Sequence, residues 1–254
     1  MILVFSGTSI GNKLIHRLLE NGFKVLASYS SDIGKDSLNS RGSLAADLII
    51  NNSKLDNNQM LKLIRRHNIE CIIDATHPFA ENVSRNAIAA ADKENLKYIR
   101  FERRKISEQK SNNIAYFDSF KEAKEYLKSL EGNILFTTGI KNIEIFKDII
   151  KDPKKTVYIK ILPTQESLEM CYATGVNVKQ VIAYYGNWGT GMIKSFIMEK
   201  SINIIVTKQS GVSGGELEKI RSVKNLDCKL LIIRRPKIDY PDTCYDFNCL
   251  MKKI

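Results

Sequence analysis

The sequence predicts an α/β protein of two parallel-sheet domains, and three observations carry the prediction. Short apolar runs alternate with amphipathic helical stretches along the chain, the pattern of strands joined by crossover helices. The first run, Ile2-Leu3-Val4-Phe5, leads through a glycine-containing turn into a helix and a second strand. Near the middle, the basic segment Arg100 to Lys105 and the polar stretch Glu108 to Asn113 break the alternation and read as a domain boundary. Residues 1–105 are therefore expected to form one Rossmann-like domain and residues 106–254 a second. The two are expected to face each other across a cleft.

Composition narrows the class. Hydrophobic residues at 43% and charged residues at 26% suit a soluble globular protein. No apolar run approaches the ~20 residues of a membrane span. Met1 to Phe5 lacks the basic start of a signal peptide, so a cytoplasmic, monomeric protein is expected. The five cysteines are scattered without a CxxC pair and there are three histidines, which argues against a metal site. The net charge of +11 suits an anionic partner, or else reflects a chain rich in Ile, Lys and Asn. Its lysines and arginines are dispersed, with no block longer than Arg103-Arg104-Lys105, which argues against nucleic acid.

After Ile2–Phe5, the turn Ser6-Gly7-Thr8-Ser9-Ile10-Gly11 opens a helix with Leu14, Leu18 and Leu19 inward, closed by Asn21-Gly22. Backbone N–H groups at such a turn hold phosphate, although only Gly7 and Gly11 of a GxGxxG pattern are present. The second strand, Lys24 to Tyr29, ends in Ser28-Tyr29-Ser30-Ser31, with Asp32 just beyond and Lys35 and Arg41 following. Serines and a cation suit the 2′-phosphate of NADPH, while Asp32 leaves a ribose ligand for NADH in play. Ala45 to Ile50 reads as a third strand, Asn57 to His67 as a helix, and Lys97 to Phe101 as a fifth strand.

The fourth strand, Glu70-Cys71-Ile72-Ile73-Asp74, is the pivot of the first half. It runs into Ala75-Thr76-His77-Pro78-Phe79-Ala80, with a helix expected from Pro78. Thr76 and His77 therefore fall at a strand's carboxyl end, where open α/β sheets bind ligands. They serve either as chemistry-bearing groups or as simple helix caps. His77 is the histidine placed to donate a proton near neutral pH; a positioning role fits equally.

In the second half a helix is expected over Ser119–Leu130. Strands are expected at Ile134–Phe136, Thr156–Ile161, Val181–Tyr184, Asn203–Val206 and Lys229–Ile233, with helices from Pro163 and Met192. Thr137-Thr138-Gly139 leaves the first of these strands. Thr207-Lys208-Gln209-Ser210-Gly211 leaves another, followed by Ser213-Gly214-Gly215-Glu216 with capping-box spacing. Free N–H groups and the Lys208 charge make this turn a candidate carboxylate or phosphate site.

The Asp74–Ala80 heptapeptide resembles the signature of precorrin-6A reductases. The Lys-x-Ser-Gly with Gly-Gly of the Lys208–Gly215 turn, Thr137-Thr138-Gly139 and the closing Arg234-Arg235-Pro236 are similar to further segments of that family. Its first glycine turn differs here, with Ser6 for a glycine and Ile10 for an acid, while Gly7, Thr8 and Gly11 are kept. The resemblance implies an NADPH-dependent enzyme of corrin-ring synthesis acting on a polycarboxylate tetrapyrrole. It implies phosphates near Ser6, Gly7, Thr8 and Gly11, with Ser28 and Ser30 at the 2′-phosphate and Thr76 beside the nicotinamide. It also implies Thr76 and His77 at the reacting atoms, with Thr138, Gly139, Lys208, Ser210, Gly211, Gly214 and Gly215 at the substrate. Arg234 and Arg235 are candidates for substrate carboxylates or plain surface charge. The rival readings are a non-catalytic NADP(H) sensor on the same first domain and an NADPH-dependent reductase of another anionic substrate.

Overall fold

A computed structural model describes residues 1–30 and 45–254. The chain divides into two compact units, Met1–Arg104 with Pro236–Ile254, and Lys105–Arg235.

The first unit carries β1 (Ile2–Phe5), α1 (Ser9–Glu20), β2 (Val25–Tyr29), β3 (Leu48–Asn52), α2 (Asn57–Arg66), β4 (Cys71–Asp74), α3 (Glu81–Lys93) and β5 (Lys97–Phe101). Its parallel sheet runs β3-β2-β1-β4-β5 and is closed by a two-residue strand, Thr243–Cys244, beside β5. The central strands are buried on both faces, as their unbroken apolar runs require. On one face Leu14, Ile15, Leu18 and Leu19 of α1 cover Val4, Ala27 and Ile73. On the other, Met60, Leu61 and Ile64 of α2 and Ala87, Ala90 and Ala91 of α3 cover Leu3, Leu26 and Ile72.

Two expectations shift. The strand expected at Ala45–Ile50 begins at Leu48, because Ala45–Asp47 take a 3₁₀ turn. The helix expected from Pro78 begins at Glu81. The proline disfavours a helical conformation for His77 before it. The next residues form a tight turn instead, with the Ala80 N–H donating to the His77 carbonyl at 2.8 Å.

The second unit carries β6 (Ile114–Phe117), α4 (Phe120–Lys128), β7 (Gly132–Phe136), α5 (Lys147–Ile150), β8 (Lys155–Ile161), α6 (Gln165–Ala173), β9 (Val181–Ala183), α7 (Thr190–Glu199), β10 (Ile202–Lys208), α8 (Glu216–Val223) and β11 (Lys229–Ile233). Its parallel sheet runs β6-β11-β10-β7-β8-β9. Edge strand β6 directly follows the polar stretch read as a boundary and is not among the strands expected from the sequence.

The last segment corrects the expected domain 106–254. Residues 236–254 leave the second unit and return to the first with β12 (Thr243–Cys244) and α9 (Phe247–Met251). Cys244, Phe247 and Leu250 join the α1 side of the first core. Among the described residues no helix is long and apolar enough to cross a membrane, and no group of three metal-ligating side chains gathers.

Candidate active site

In the first unit the order of strands reverses between β1 and β4, and the turns leaving both meet there. Gly7 has φ +121 with open space around it, a conformation and clearance that favour glycine. Thr8 caps α1, accepting from the Gly11 N–H at 3.1 Å and donating to the Ala75 carbonyl at 3.2 Å. A Cβ on Gly11 would lie 2.3 Å from Ser6 Oγ and 3.3 Å from the Ala75 carbonyl oxygen, so glycine lets the helix approach both strand ends. Helix geometry leaves the Ser9 and Ile10 amides without an intrahelical acceptor, beside a positive dipole end. This cradle fits the phosphates of a dinucleotide. Ser6 is buried and donates to Asn12 Oδ1 at 2.9 Å, as does Tyr29 Oη, so Ser6 braces the turn from beneath. Burial pushes the Tyr29 phenol up to about 12, with the Ser6 hydrogen bond working the other way.

Of the two serines expected at a 2′-phosphate, Ser30 is exposed at the end of β2. Ser28 is buried and accepts from Asn51 Nδ2 at 3.1 Å, tying β2 to β3. Asp32, Lys35 and Arg41 lie outside the described residues.

Beneath the β4 turn sits a charged network. Asp74 Oδ1 accepts from the Thr76 N–H at 3.0 Å and the Thr76 hydroxyl at 2.6 Å, and pairs with Arg100 Nη1 at 2.8 Å. Its other oxygen accepts from Ser84 and Tyr98. Arg100 also donates to Thr76 Oγ1 at 3.1 Å and to the Thr76 carbonyl at 3.0 Å. Burial alone would raise the Asp74 carboxyl; the Arg100 guanidinium and the Ser84 and Thr76 hydrogen bonds outweigh it and hold it below its usual range. Thr76 is thus locked in place, its hydroxyl both donating and accepting. That suits positioning, not proton transfer.

His77 sits half-buried on this foundation. Its Nδ1 accepts from the Phe79 N–H at 3.2 Å, which places the proton of a neutral imidazole on Nε2.

The second unit has the same kind of switch point between β7 and β10. Thr137 donates its N–H to the Val206 carbonyl at 2.8 Å, setting Thr137–Gly139 beside the turn that begins at Lys208. Thr138 is buried, its hydroxyl donating to the Gly139 carbonyl at 3.2 Å. Burial, aided by nearby Lys141, lowers the Lys208 ammonium to about 8. Its Nζ lies 5.6 Å from the Phe120 ring centroid.

Here the structure corrects the sequence reading. No capping box forms at Ser213 and Glu216; Val212–Gly214 make a 3₁₀ turn and α8 starts after left-handed Gly215. The Glu216 side chain is buried and folds back to accept from the Gly211 N–H at 2.6 Å. An amide expected to meet an external anion therefore holds an internal carboxylate. Ser210 Oγ donates to the Gly214 carbonyl at 2.9 Å, so Ser210 and Gly214 brace the same turn. Gly215 lies against Asn187 in the loop between β9 and α7. Arg234 is bound by Glu108 at 2.6 Å and Asp118 at 3.1 Å. Arg235 is buried and donates from Nε to the Gln209 carbonyl at 3.0 Å. Both arginines serve the protein's own acceptors. Lys219, which sequence reasoning passed over, donates to the Gly215 carbonyl at 3.1 Å; burial and nearby Lys160 lower it to about 8. Arg100, Ser84, Tyr98 and Tyr240 were also passed over, although an arginine inside the run Tyr98-Ile99-Arg100-Phe101 is a readable sign of a buried partner.

Comparisons with known proteins agree across the chain. Residues 1–254 match a family model described as "Precorrin-6x reductase CbiJ/CobK". A cobalt-precorrin-6A reductase from Methanocaldococcus jannaschii is 36% identical over 202 residues, covering 79% of this chain and 78% of the relative. One from Priestia megaterium is 30% identical over 241 residues, covering 94% and 92%. A solved structure titled "CobK precorrin-6A reductase" superposes with a TM-score of 0.81 at 19% identity, covering 99% of this chain and 95% of that one, which speaks for the fold.

Proposed function

The chain belongs to the precorrin-6x reductase family of cobalamin biosynthesis, and we propose that it reduces the C18=C19 bond of cobalt-precorrin-6A with NADPH. The cobalt form is chosen because the relatives at 36% and 30% identity carry that name. When bound, the nicotinamide supplies a hydride to C19, and a proton from the protein or solvent completes the saturation at C18.

The observation that carries the reading is the meeting of the Gly7–Gly11 cradle with the Thr76-His77 turn at one switch point. The cradle holds the phosphates and Ser30 faces the 2′-phosphate. Thr76, fixed by Asp74 and Arg100, orients the turn beside the nicotinamide. His77 presents a proton on Nε2 and is the group we assign to C18. Lys208, with Thr138 and Gly139 on the neighbouring turn, receives substrate carboxylates.

The test is single-turnover reduction across pH 5 to 9. His77→Asn keeps a polar side chain but cannot donate in the same way, and should slow the step about 10²-fold. A variant keeping a tenth of the wild-type rate with the same pH profile removes His77 as the donor. Equal affinity for NADPH and NADH in a titration would remove the 2′-phosphate assignment.

A further inference from the structure

The C-terminal segment brings two thiols together. Cys244 lies on β12, and Cys249 is in the first turn of α9. Both are free thiols, and their Sγ atoms stand 2.9 Å apart. That is closer than two non-bonded sulfurs pack, and longer than the ~2.05 Å of a bonded pair. Each sulfur is held from its own side. Cys244 is in register with Phe101 of β5, and the Glu102 N–H donates to the Cys244 carbonyl at 2.8 Å. Asp246 caps α9 and accepts from the Cys249 N–H at 2.9 Å. Cys244 is fully buried and Cys249 half-buried, so a reagent from solvent meets Cys249 first. Burial, with Cys249 beside it, pushes the Cys244 thiol up to about 12, which also makes it the second sulfur to react. The Lys253 ammonium donates to the Thr243 carbonyl at 3.3 Å, and its charge favours the Cys244 thiolate; its ion-pair partner Asp242 works the other way. The remaining cysteines, Cys71, Cys171 and Cys228, are buried.

We propose that Cys244 and Cys249 form a dithiol modification site that reacts with small disulfides of the oxidised-glutathione class and reversibly bonds β12 to α9. The Cys249 thiolate attacks one sulfur of the external disulfide. A Cys249 mixed disulfide forms, the external S–S bond breaks and one thiolate leaves. Cys244 gives its proton to solvent and attacks the Cys249 sulfur, forming the internal bond and expelling the second thiolate. The two cysteine sulfurs lose two electrons, and the external disulfide gains them and takes up two protons as two thiols. Closure brings the sulfurs together by under ~1 Å. The bond fastens the segment that returns from the second unit to complete the first sheet. The site is independent of the reaction proposed above.

The experiment equilibrates the full chain with graded ratios of oxidised to reduced glutathione, quenches in acid, alkylates in denaturant and cleaves with trypsin. Both cysteines fall in one peptide, Ile238–Lys252. Under oxidising ratios that peptide should lose both alkylation sites together and carry two hydrogens fewer than its reduced form. Cys71, Cys171 and Cys228 should stay fully alkylated. The bond should form roughly tenfold more readily in the folded chain than in the same chain unfolded in urea, because folding has already placed the sulfurs side by side. Cys244→Ser should stop with glutathione on Cys249, and Cys249→Ser should leave Cys244 open to alkylation. Glutathione accumulating on wild-type Cys249, or either sulfur pairing with another cysteine, overturns the proposal. So does closure that is no easier in the folded chain than in urea. Glutathione on Cys244 in the Cys249→Ser chain overturns the order of attack. Should Cys244→Ser fail to fold, the wild-type comparison between folded and urea-unfolded chain decides.

Discussion

The first sheet runs β3-β2-β1-β4-β5-β12 and the second β9-β8-β7-β10-β11-β6, so β1 with β4 and β7 with β10 hold the same central places. The sixth position is filled from opposite ends, by a strand that follows the five in the first unit and by one that precedes them in the second. The switch points differ in charge as well. The first keeps an open glycine turn and buries a carboxylate-rich cluster around Arg100. The second fills its turn with Glu216 and sets the half-buried lysines Lys208 and Lys219 beside it. A phosphate needs open amides, and a polycarboxylate is served by ammonium charge. One strand plan thus carries two differently charged switch points, set by a few side chains at the strand ends.

The sharpest way to break the comparison is to remove Asp74. Asp74→Ala removes the buried acceptor shared by Thr76, Ser84 and Tyr98 and one of the two carboxylates paired with Arg100, and should cost the first unit about 3–5 kcal/mol. Hydrogen exchange should show the loss at the β4 and β5 amides while β7 and β10 keep their protection. Uniform loss in both sheets would mean the units do not respond separately.

Next in size is Lys208. Lys208→Ala should weaken macrocycle binding by about 1–3 kcal/mol, the range of a hydrogen bond to a charged group, and leave NADPH binding unchanged. A matching loss for the nucleotide would contradict the division of labour between the switch points.

Acid titration should separate the two carboxylates by sign. Asp74 is held low, so its stabilising share is present above the unfolded value near 4 and is lost as pH falls through the folded one. Burial raises Glu216, with the Gly211 N–H the leading opposing influence, so its share is present below about 4 and fades as pH rises through its folded value. Glu216→Gln should therefore match wild type in acid and gain on it as pH rises toward neutrality, whereas Asp74→Asn should fall behind wild type over the same climb. Denaturant midpoints between pH 3 and 7 check both.

The smallest effect is expected at Arg234. Its pairs with Glu108 and Asp118 are largely solvent-facing, so Arg234→Ala should cost about 1 kcal/mol or less and leave the substrate constants unmoved. A raised Michaelis constant at low salt would return Arg234 to the substrate site.

What could be read from the chain follows from how each element is stabilised. The central strands are short apolar runs because both faces are buried, and sequence reading finds such runs directly. Edge strand β6 is four residues long with none fully buried, and β12 is two residues long, so neither leaves a periodic trace. The site shows the same division. Gly7, Gly11, Thr76, His77 and Lys208 stand out in the sequence as candidates because turns and strand ends impose residue types. The partners that hold them were not: Arg100, Tyr98 and Tyr240 approach Asp74 only through sheet pairing and the returning C-terminal segment. Ser213 and Glu216 show the opposite error, where local capping spacing lost to a longer-range use of the carboxylate.

The return of β12 to the first sheet also sets an order of manufacture. Every strand of the second sheet lies between β5 and β12 in the chain, so that domain is fully synthesised while the first still lacks its edge strand and the Tyr240 ring over Arg100. At roughly 5–20 residues per second, the intervening stretch takes on the order of ten seconds to emerge from a ribosome. The half-finished first sheet must remain soluble for that interval with β5 as its exposed edge, a vulnerable state for any parallel sheet. The domain begun first is completed last, and its Asp74–Arg100 cluster gains the covering Tyr240 ring only after the second domain has closed its own sheet.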